Sequence, residues 1–149
     1  MERIVFSGLA LGMIDFCLKS MIKFGSERKQ FGQSVGEFQL YQERVAYASS
    51  TFDLLHHYSY HLADCLDQKK KLTKEAATLK LLASQMTSKV TSDAVSALGG
   101  AGYMQEYQVE RCFRDAKLFE IGGGTSDIQK IIIAKEVSKE VLNAVSKNK

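Results

Sequence analysis

The chain has 149 residues, of which 45% are hydrophobic and 25% are charged, so it can bury a core and is too apolar for wholesale disorder. Its 20 Lys+Arg and 17 Asp+Glu give a net charge of +3. This charge is too small and dispersed to predict a nucleic acid or an anionic membrane as a partner. Proline is absent, and because proline interrupts helices, its absence favours long continuous helices.

Cysteine usage and apolar runs indicate the compartment. The three cysteines are an odd number at wide spacing, which predicts free thiols in a reducing compartment. The N-terminus shows no apolar region of a cleavable signal, and the apolar run at 131–134 is far shorter than the ~20 residues of a membrane span. We therefore expect no membrane and a cytoplasmic protein, or one of the mitochondrial matrix if the source is eukaryotic.

Apolar residues at spacings of three and four predict a first helix over residues 2–24, with Gly25-Ser26 as its C-cap. Gly8 and Gly12 lie four residues apart in this helix and favour the close approach of another backbone. A polar loop without strands is expected after the helix.

Capping signals set the next two helices. The capping-box spacing from Ser34 to Glu37 predicts that a second helix begins there and ends near Gln68. A charged connection follows. Thr73 is a suitable N-cap for a third helix that runs to Leu98.

Two glycine clusters, at 99–102 and 122–124, interrupt the rest of the chain. A shorter helix is expected between them over 107–118, and Thr125-Ser126-Asp127 predicts the cap of a last helix. Four long helices with short connections predict an all-α fold, an antiparallel four-helix bundle with a short extra helix in one domain, 1–149.

The glycine clusters have two interpretations. They are typical of helix C-caps, and they also let a backbone approach a bulky ligand with free amides pointing at it. The loop between the first two helices contains a cation, an amide and an aromatic ring in Arg28, Gln30 and Phe31, which suits a phosphate and a flat ring. No Cys-x-x-Cys, Gly-x-Ser-x-Gly or P-loop motif occurs, so no metal is expected, and a serine hydrolase or an NTP-cleaving enzyme lacks support.

Five short motifs occur in the order seen in acyl-CoA dehydrogenases: Arg28-Lys29-Gln30-Phe31-Gly32, Phe38-Gln39, Leu98-Gly99-Gly100-Ala101-Gly102-Tyr103, Arg114-Asp115-Ala116 and Gly124-Thr125-Ser126-Asp127-Ile128-Gln129. Nearly the whole chain resembles the carboxy-terminal helical domain of that flavoenzyme family. The family's subunit also has an amino-terminal helical domain and a middle β domain, which are missing here. Met1 would fall inside the first helix of the last domain, so we expect a fragment of a larger protein.

The resemblance implies FAD as the cofactor and a homo-oligomer, a homotetramer in the family. In the family, an arginine, the residue two after it and a phenylalanine contact FAD across a subunit interface, and here these are Arg28, Gln30 and Phe31. The other matching cofactor positions are Gln39, Ser96, Gly99, Gly100, Thr125 and Asp127. Ser96 stands where the family often has glutamine, which predicts a weaker contact.

The catalytic base implied by the resemblance is Glu2. Removing the α-proton of a thioester needs a carboxylate. Many members carry it in a Tyr-Glu-Gly-Thr motif, but that position is Gly123 here and has no side chain. The isovaleryl and long-chain branches place the base in a Glu-Arg pair on the first helix, which Glu2 and Arg3 match. An acid in a first helical turn is also a common dipole partner. Arg3, Gly123 and Gly124 are the implied substrate contacts, with room at the glycines for a branched or long acyl chain.

The implied reaction is the FAD-dependent α,β-dehydrogenation of an acyl-CoA thioester, with electrons passing to an electron-transfer flavoprotein. A dehydrogenase of acyl groups tethered to a carrier protein is the first alternative. A non-catalytic helical interaction module is the second. The isolated chain is expected to be inactive, because a flavin also needs the β domain.

Overall fold

The computed structural model describes residues 2–147, and this part of the chain contains five α-helices and one two-stranded hairpin. The elements are α1 (Glu2–Glu27), β1 (Lys29–Gln30), β2 (Gln33–Ser34), α2 (Gln39–Asp67), α3 (Thr73–Leu98), α4 (Val109–Ile121) and α5 (Ser126–Lys147). The all-α prediction is confirmed, and α4 is the short extra helix. The inference that Met1 falls inside a helix lies outside the described residues.

Two contacts give the relative direction of the first two helices. The Tyr41 hydroxyl, early in α2, donates to the Met21 carbonyl late in α1 at 2.6 Å. The Ser7 and Ser59 hydroxyls, at the opposite ends of the same helices, lie 2.9 Å apart. The two helices therefore run antiparallel, as expected for a bundle with short connections.

Helix α3 lies at the centre and packs against each of the other four helices. Its buried face carries small side chains such as Ala76, Ala83 and Ala94, which let the neighbouring helices approach closely, and Leu79 and Val90 fill the space between them. Close packing of this kind accounts for a single continuous core. Both ends of α3 consequently lie beside the loops that carry the predicted site residues.

Helix α1 is the one helix within residues 2–147 that is long and apolar enough to cross a membrane by length and composition, with a mean hydropathy of 1.6 over 18 residues. The expectation from apolar run length missed this, because polar and glycine residues divide the helix into short runs. In the bundle, Ala10, Ile14, Cys17 and Met21 of α1 are fully buried in the core. A core helix meets the same composition criterion as a membrane span.

The connection between α1 and α2 differs from its prediction. Helix α1 continues through a buried Gly25 to Glu27, so Gly25 is not a C-cap, and the loop contains the antiparallel hairpin β1–β2. The Ser34 hydroxyl donates to the Gly25 carbonyl, and it makes no capping hydrogen bond. Residues 35–37 therefore form a 3-10 turn, and α2 begins at Gln39.

Two smaller expectations were also wrong. Thr73 is the first residue of α3, and its N-cap is Leu72 without a side-chain capping bond. Within residues 2–147, no atom lies within 4 Å of a Cβ built on Gly8 or Gly12, so no backbone approaches there. Both glycines instead line an open groove between α1 and α2.

Candidate functional site

The predicted site residues lie at the two ends of α1. Glu2 begins this helix of 26 residues and Arg28 follows its last residue. With a rise of ~1.5 Å per residue, the two ends are about 39 Å apart. The chain therefore has two separate candidate sites, one around Arg28 and one around Glu2.

The first site is a groove with a volume of about 470 Å³ between the hairpin and the end of α3. It brings together four predicted cofactor residues, Arg28, Gln30, Gly99 and Gly100. A Cβ built on Gly99 or Gly100 would meet no atom within 4 Å, so a bulky group can approach the backbone at both glycines. The Arg28 guanidinium makes no salt bridge with any residue from 2 to 147 and stays available to an anion.

The hairpin turn explains why this loop has a defined shape. Phe31 and Gly32 occupy the two central positions, with φ of 52° and 84°, as a two-residue turn between paired strands requires. The Val35 amide donates to the Arg28 carbonyl at 2.8 Å and closes the loop. Phe31 is 93% exposed, and its ring forms an edge-to-face pair with Phe38 at a centroid distance of 6.3 Å.

Five predicted cofactor residues lie outside the groove lining: Thr125 and Asp127 lie at the start of α5, and the other three are Phe31, Gln39 and Ser96. Phe31 extends from the tip of the hairpin, and Gln39 is exposed at the start of α2. The Ser96 hydroxyl donates to the Ser92 carbonyl of its own helix at 3.0 Å. The fold therefore brings the arginine and the glycines of the predicted set together, and leaves these three side chains around them.

The second site is a cavity of about 400 Å³ that includes Glu2, Arg3 and Gly123 in its lining. A Cβ built on Gly123 would lie 4.0 Å from the Glu2 Oε1 atom and 3.5 Å from the Phe6 ring. The two positions to which the resemblance assigns the catalytic base are thus neighbours in space. The Glu2 carboxylate has no salt bridge within the described chain.

The turn from Gly122 to Thr125 links α4 to α5 beside this cavity. Gly123 and Gly124 have φ of +62° and +89°, a conformation that side chains rarely tolerate. The Thr125 hydroxyl accepts a hydrogen bond from the Ile128 amide at 3.3 Å, so the predicted cap of α5 is confirmed. Asp127 lies in the first turn, is 84% exposed and pairs with Lys130 at 2.9 Å.

Sequence reasoning missed Lys80, which lies on α3 and is 1% exposed. Its ammonium donates to the Gly124 carbonyl at 2.7 Å. Burial lowers the pKa of Lys80, while nearby Glu120 raises it and Arg3 lowers it further. The sequence does contain a signal for the burial of Lys80, because this residue lies on the same face of α3 as the small residues Ala76 and Ala83.

Glu120, the last acid before the glycine turn, is poorly suited to be a base. Its carboxylate accepts hydrogen bonds from Lys117 at 2.7 Å and from the Ser88 hydroxyl at 2.6 Å. These bonds hold the pKa of Glu120 below its ordinary value. A carboxylate stabilised in its ionised form accepts a proton less readily, so Glu120 is a weaker candidate than Glu2.

Comparison with known proteins identifies the family of the chain. Residues 1–138 match the model of the acyl-CoA dehydrogenase C-terminal domain. The probable acyl-CoA dehydrogenase YngJ of Bacillus subtilis (strain 168) is 42% identical over 137 residues, which are 92% of this chain and 36% of that protein. The mitochondrial isovaleryl-CoA dehydrogenase of Arabidopsis thaliana is 39% identical over 140 residues, 94% of this chain and 34% of that protein.

A solved structure gives the same result for the fold. The FAD complex of PigA superposes with a TM-score of 0.85 at 29% identity, over 89% of this chain and 34% of that one. The chain thus spans about a third of the length of the relatives it matches. It belongs to the acyl-CoA dehydrogenase family and corresponds to the C-terminal helical domain of that family.

Proposed function

We propose that this chain is the helical part of an FAD-dependent acyl-CoA dehydrogenase and contributes its catalytic base, Glu2. The observation that carries the proposal is the shared cavity of Glu2 and Gly123, with 4.0 Å between the Glu2 Oε1 atom and a Cβ built on Gly123. Glu2 of α1 thus places a carboxylate beside the position where Gly123 has no side chain. The PigA structure is a complex with FAD, and we extend that cofactor to this protein.

The groove around Arg28 fits a dinucleotide cofactor. Its guanidinium offers planar donors that grip a pyrophosphate at two points, and the open backbone of Gly99 and Gly100 leaves room for a flat group. The start of α5 presents free amides and the positive end of the helix dipole behind Thr125, which favour an electron-rich group. When bound, FAD accepts the hydride that leaves the β-carbon of the substrate.

The separation of the two sites supports a shared cofactor. About 39 Å of helix exceeds the reach of one extended dinucleotide, so Arg28 and Thr125 of one chain contact different FAD molecules. Each FAD then lies between two copies of the chain, which requires a homo-oligomer. Helix α5 supports association because it leaves apolar side chains exposed, among them Ile131, Val141 and Leu142.

Glu2 accepts the α-proton of the thioester in this proposal. Glu2 is exposed in the described chain and lines the cavity that would hold the thioester. Gly123 leaves the volume of a missing side chain beside it. The isovaleryl-CoA relative is named for a branched acyl group, which agrees with a use of that volume by a branched or long acyl chain.

In this proposal an electron-transfer flavoprotein would accept the electrons that the substrate loses. The relatives include a bacterial protein and a plant protein named as mitochondrial. We therefore place the enzyme in the bacterial cytoplasm, or in the mitochondrial matrix if the source is eukaryotic.

The test is a fusion in which this chain replaces the matching C-terminal segment of YngJ, with Glu2→Gln as the variant. The amide is nearly isosteric but cannot accept a proton, so turnover of acyl-CoA should fall about 10²- to 10⁴-fold. Flavin absorbance and acyl-CoA binding should stay unchanged. Glu27→Gln, at the other end of α1, is the matched control and should keep full turnover.

Each other outcome has a defined meaning. Turnover of the Glu2→Gln fusion within a few-fold of the parent would reject Glu2 as the base. Activity on acyl groups tethered to a carrier protein, without activity on free CoA thioesters, would establish the first alternative. A parent fusion that folds but retains no flavin would indicate a non-catalytic interaction module.

A further inference from the structure

Lys80 is a buried charge that the proposed mechanism does not use. The other two lysines of α3, Lys74 and Lys89, form salt bridges with Glu140 and Asp93. Lys80 is 1% exposed and forms no salt bridge within residues 2–147. Because burying an unpaired ammonium is unfavourable, its hydrogen bond to the glycine turn must compensate for the lost hydration.

A second buried donor acts on the same turn. Gln129 of α5 is fully buried, and its Nε2 donates to the carbonyls of Gly123 at 3.3 Å and Gly124 at 2.9 Å. Together with the 2.7 Å bond from the Lys80 Nζ to the Gly124 carbonyl, three hydrogen bonds hold two successive carbonyls. A Cβ at Gly124 would lie 2.8 Å from the Gln129 Nε2, so only glycine permits this approach.

The direction of the carbonyls determines the direction of the amides. All peptide bonds of the described residues are trans, and in a trans peptide the N–H points away from the C=O. The N–H groups of Gly124 and Thr125 therefore point away from Lys80 and Gln129. Neither donates a hydrogen bond to another described residue, so both remain available to an acceptor outside the turn.

We propose that Lys80 is a positioning residue, which with Gln129 holds the two carbonyls inward and so presents the Gly124 and Thr125 amides toward the cofactor and substrate. The inference rests on the proposed function only for the identity of the acceptor. An ammonium suits this role because a charged donor makes a stronger hydrogen bond than a neutral one. The buried charge also lies 5.9 Å from the centre of the Phe6 ring, which lines the same turn.

NMR relaxation of the chain itself tests the proposal without any flavin. Lys80→Met keeps the length of the side chain and removes the donor, Lys80→Arg keeps a charged donor, and Lys89→Met is the matched control on the exposed side of α3. In the parent chain the N–H order parameters of Gly124 and Thr125 should be near 0.85, as in rigid backbone, and in Lys80→Met they should fall below about 0.6. Lys80→Arg should restore most of the order, and the amides of α3 and α5 should not change.

The proposal fails if the order parameters of Gly124 and Thr125 do not change in a folded Lys80→Met chain. Lys80 would then contribute only its side-chain volume, which Met supplies equally well. If Lys80→Met does not fold, Gln129→Met removes the other donor, and the same two amides must respond or the proposal fails. In the YngJ fusion, Lys80→Met should lower kcat by about 10²-fold, the cost of a displacement of ~1 Å, with a smaller change in KM. Loss of flavin from the parent fusion would reject the proposed function but leave the NMR result intact.

Discussion

Replacing Gly102 with alanine should strongly destabilise the bundle. Gly102 is buried where the turn after α3 folds back on the helix, and a Cβ there would lie 2.9 Å from the Val95 Cα and 3.0 Å from the Val95 carbonyl carbon. Since these are backbone atoms, no rotamer change relieves the contact. Overpacking of a well-packed site costs about 1–3 kcal/mol, and a backbone clash belongs at the upper end of this range.

The effect is measured by thermal unfolding, followed by circular dichroism. For a domain of about 150 residues, ~3 kcal/mol corresponds to a decrease in Tm of roughly 6–12 °C. Gly100→Ala is the matched control, because a Cβ at Gly100 has no neighbour within 4 Å. The Tm of Gly100→Ala should equal that of the parent or exceed it, because the substitution adds at most ~1 kcal/mol to the free energy of unfolding. If both variants melt at the same temperature as the parent, the close packing of the turn against Val95 is wrong.

Two further predictions concern the carboxylates near the glycine turn. In the Glu2→Gln fusion, Gly123→Glu should recover part of the turnover, because the new Cβ has van der Waals room near position 2. The recovery should be incomplete, because residue 123 has a φ of +62°, which strains any residue other than glycine. No recovery in a variant that retains flavin would contradict the shared site. Because the pKa of Glu120 is lowered from its ordinary 4.5, its contribution to stability is complete above that value and is lost as the pH falls through the folded-state pKa. Glu120→Gln should thus lower the Tm at pH 7 and leave it near that of the parent once the pH is below the folded-state pKa of Glu120, and an equal decrease at both pH values would rule this linkage out.

The sequence predicted the helices well because their signals are local. Apolar periodicity depends only on residues within a few turns, so the number of helices and their approximate ends could be read from it. The cap at Thr125 was correct for the same reason, since its hydroxyl reaches an amide three residues away. Motif order alone also indicated the family and, in the first site, Arg28, Gln30, Gly99 and Gly100.

The failures came from side chains whose partners are distant in the sequence. Ser34 has the spacing of a capping box, but its hydroxyl bonds to Gly25 of the preceding helix. The hairpin at Phe31 was missed because two-residue strands carry no periodicity, and a bulky residue with positive φ is rare in such a turn. A single sequence offers no means to detect such competition between local and long-range partners.

The sequence by itself determined the helical bundle, the two glycine turns and the presence of one carboxylate at the start of α1. Only the tertiary structure decided that Glu2 faces Gly123 from the opposite end of the chain, and that Arg28 and Gly99 share a groove. It also decided that Lys80 is buried against the Gly124 carbonyl. The physical reason is that helix formation depends on neighbouring residues, whereas a site depends on which helix ends the packing of the core brings together.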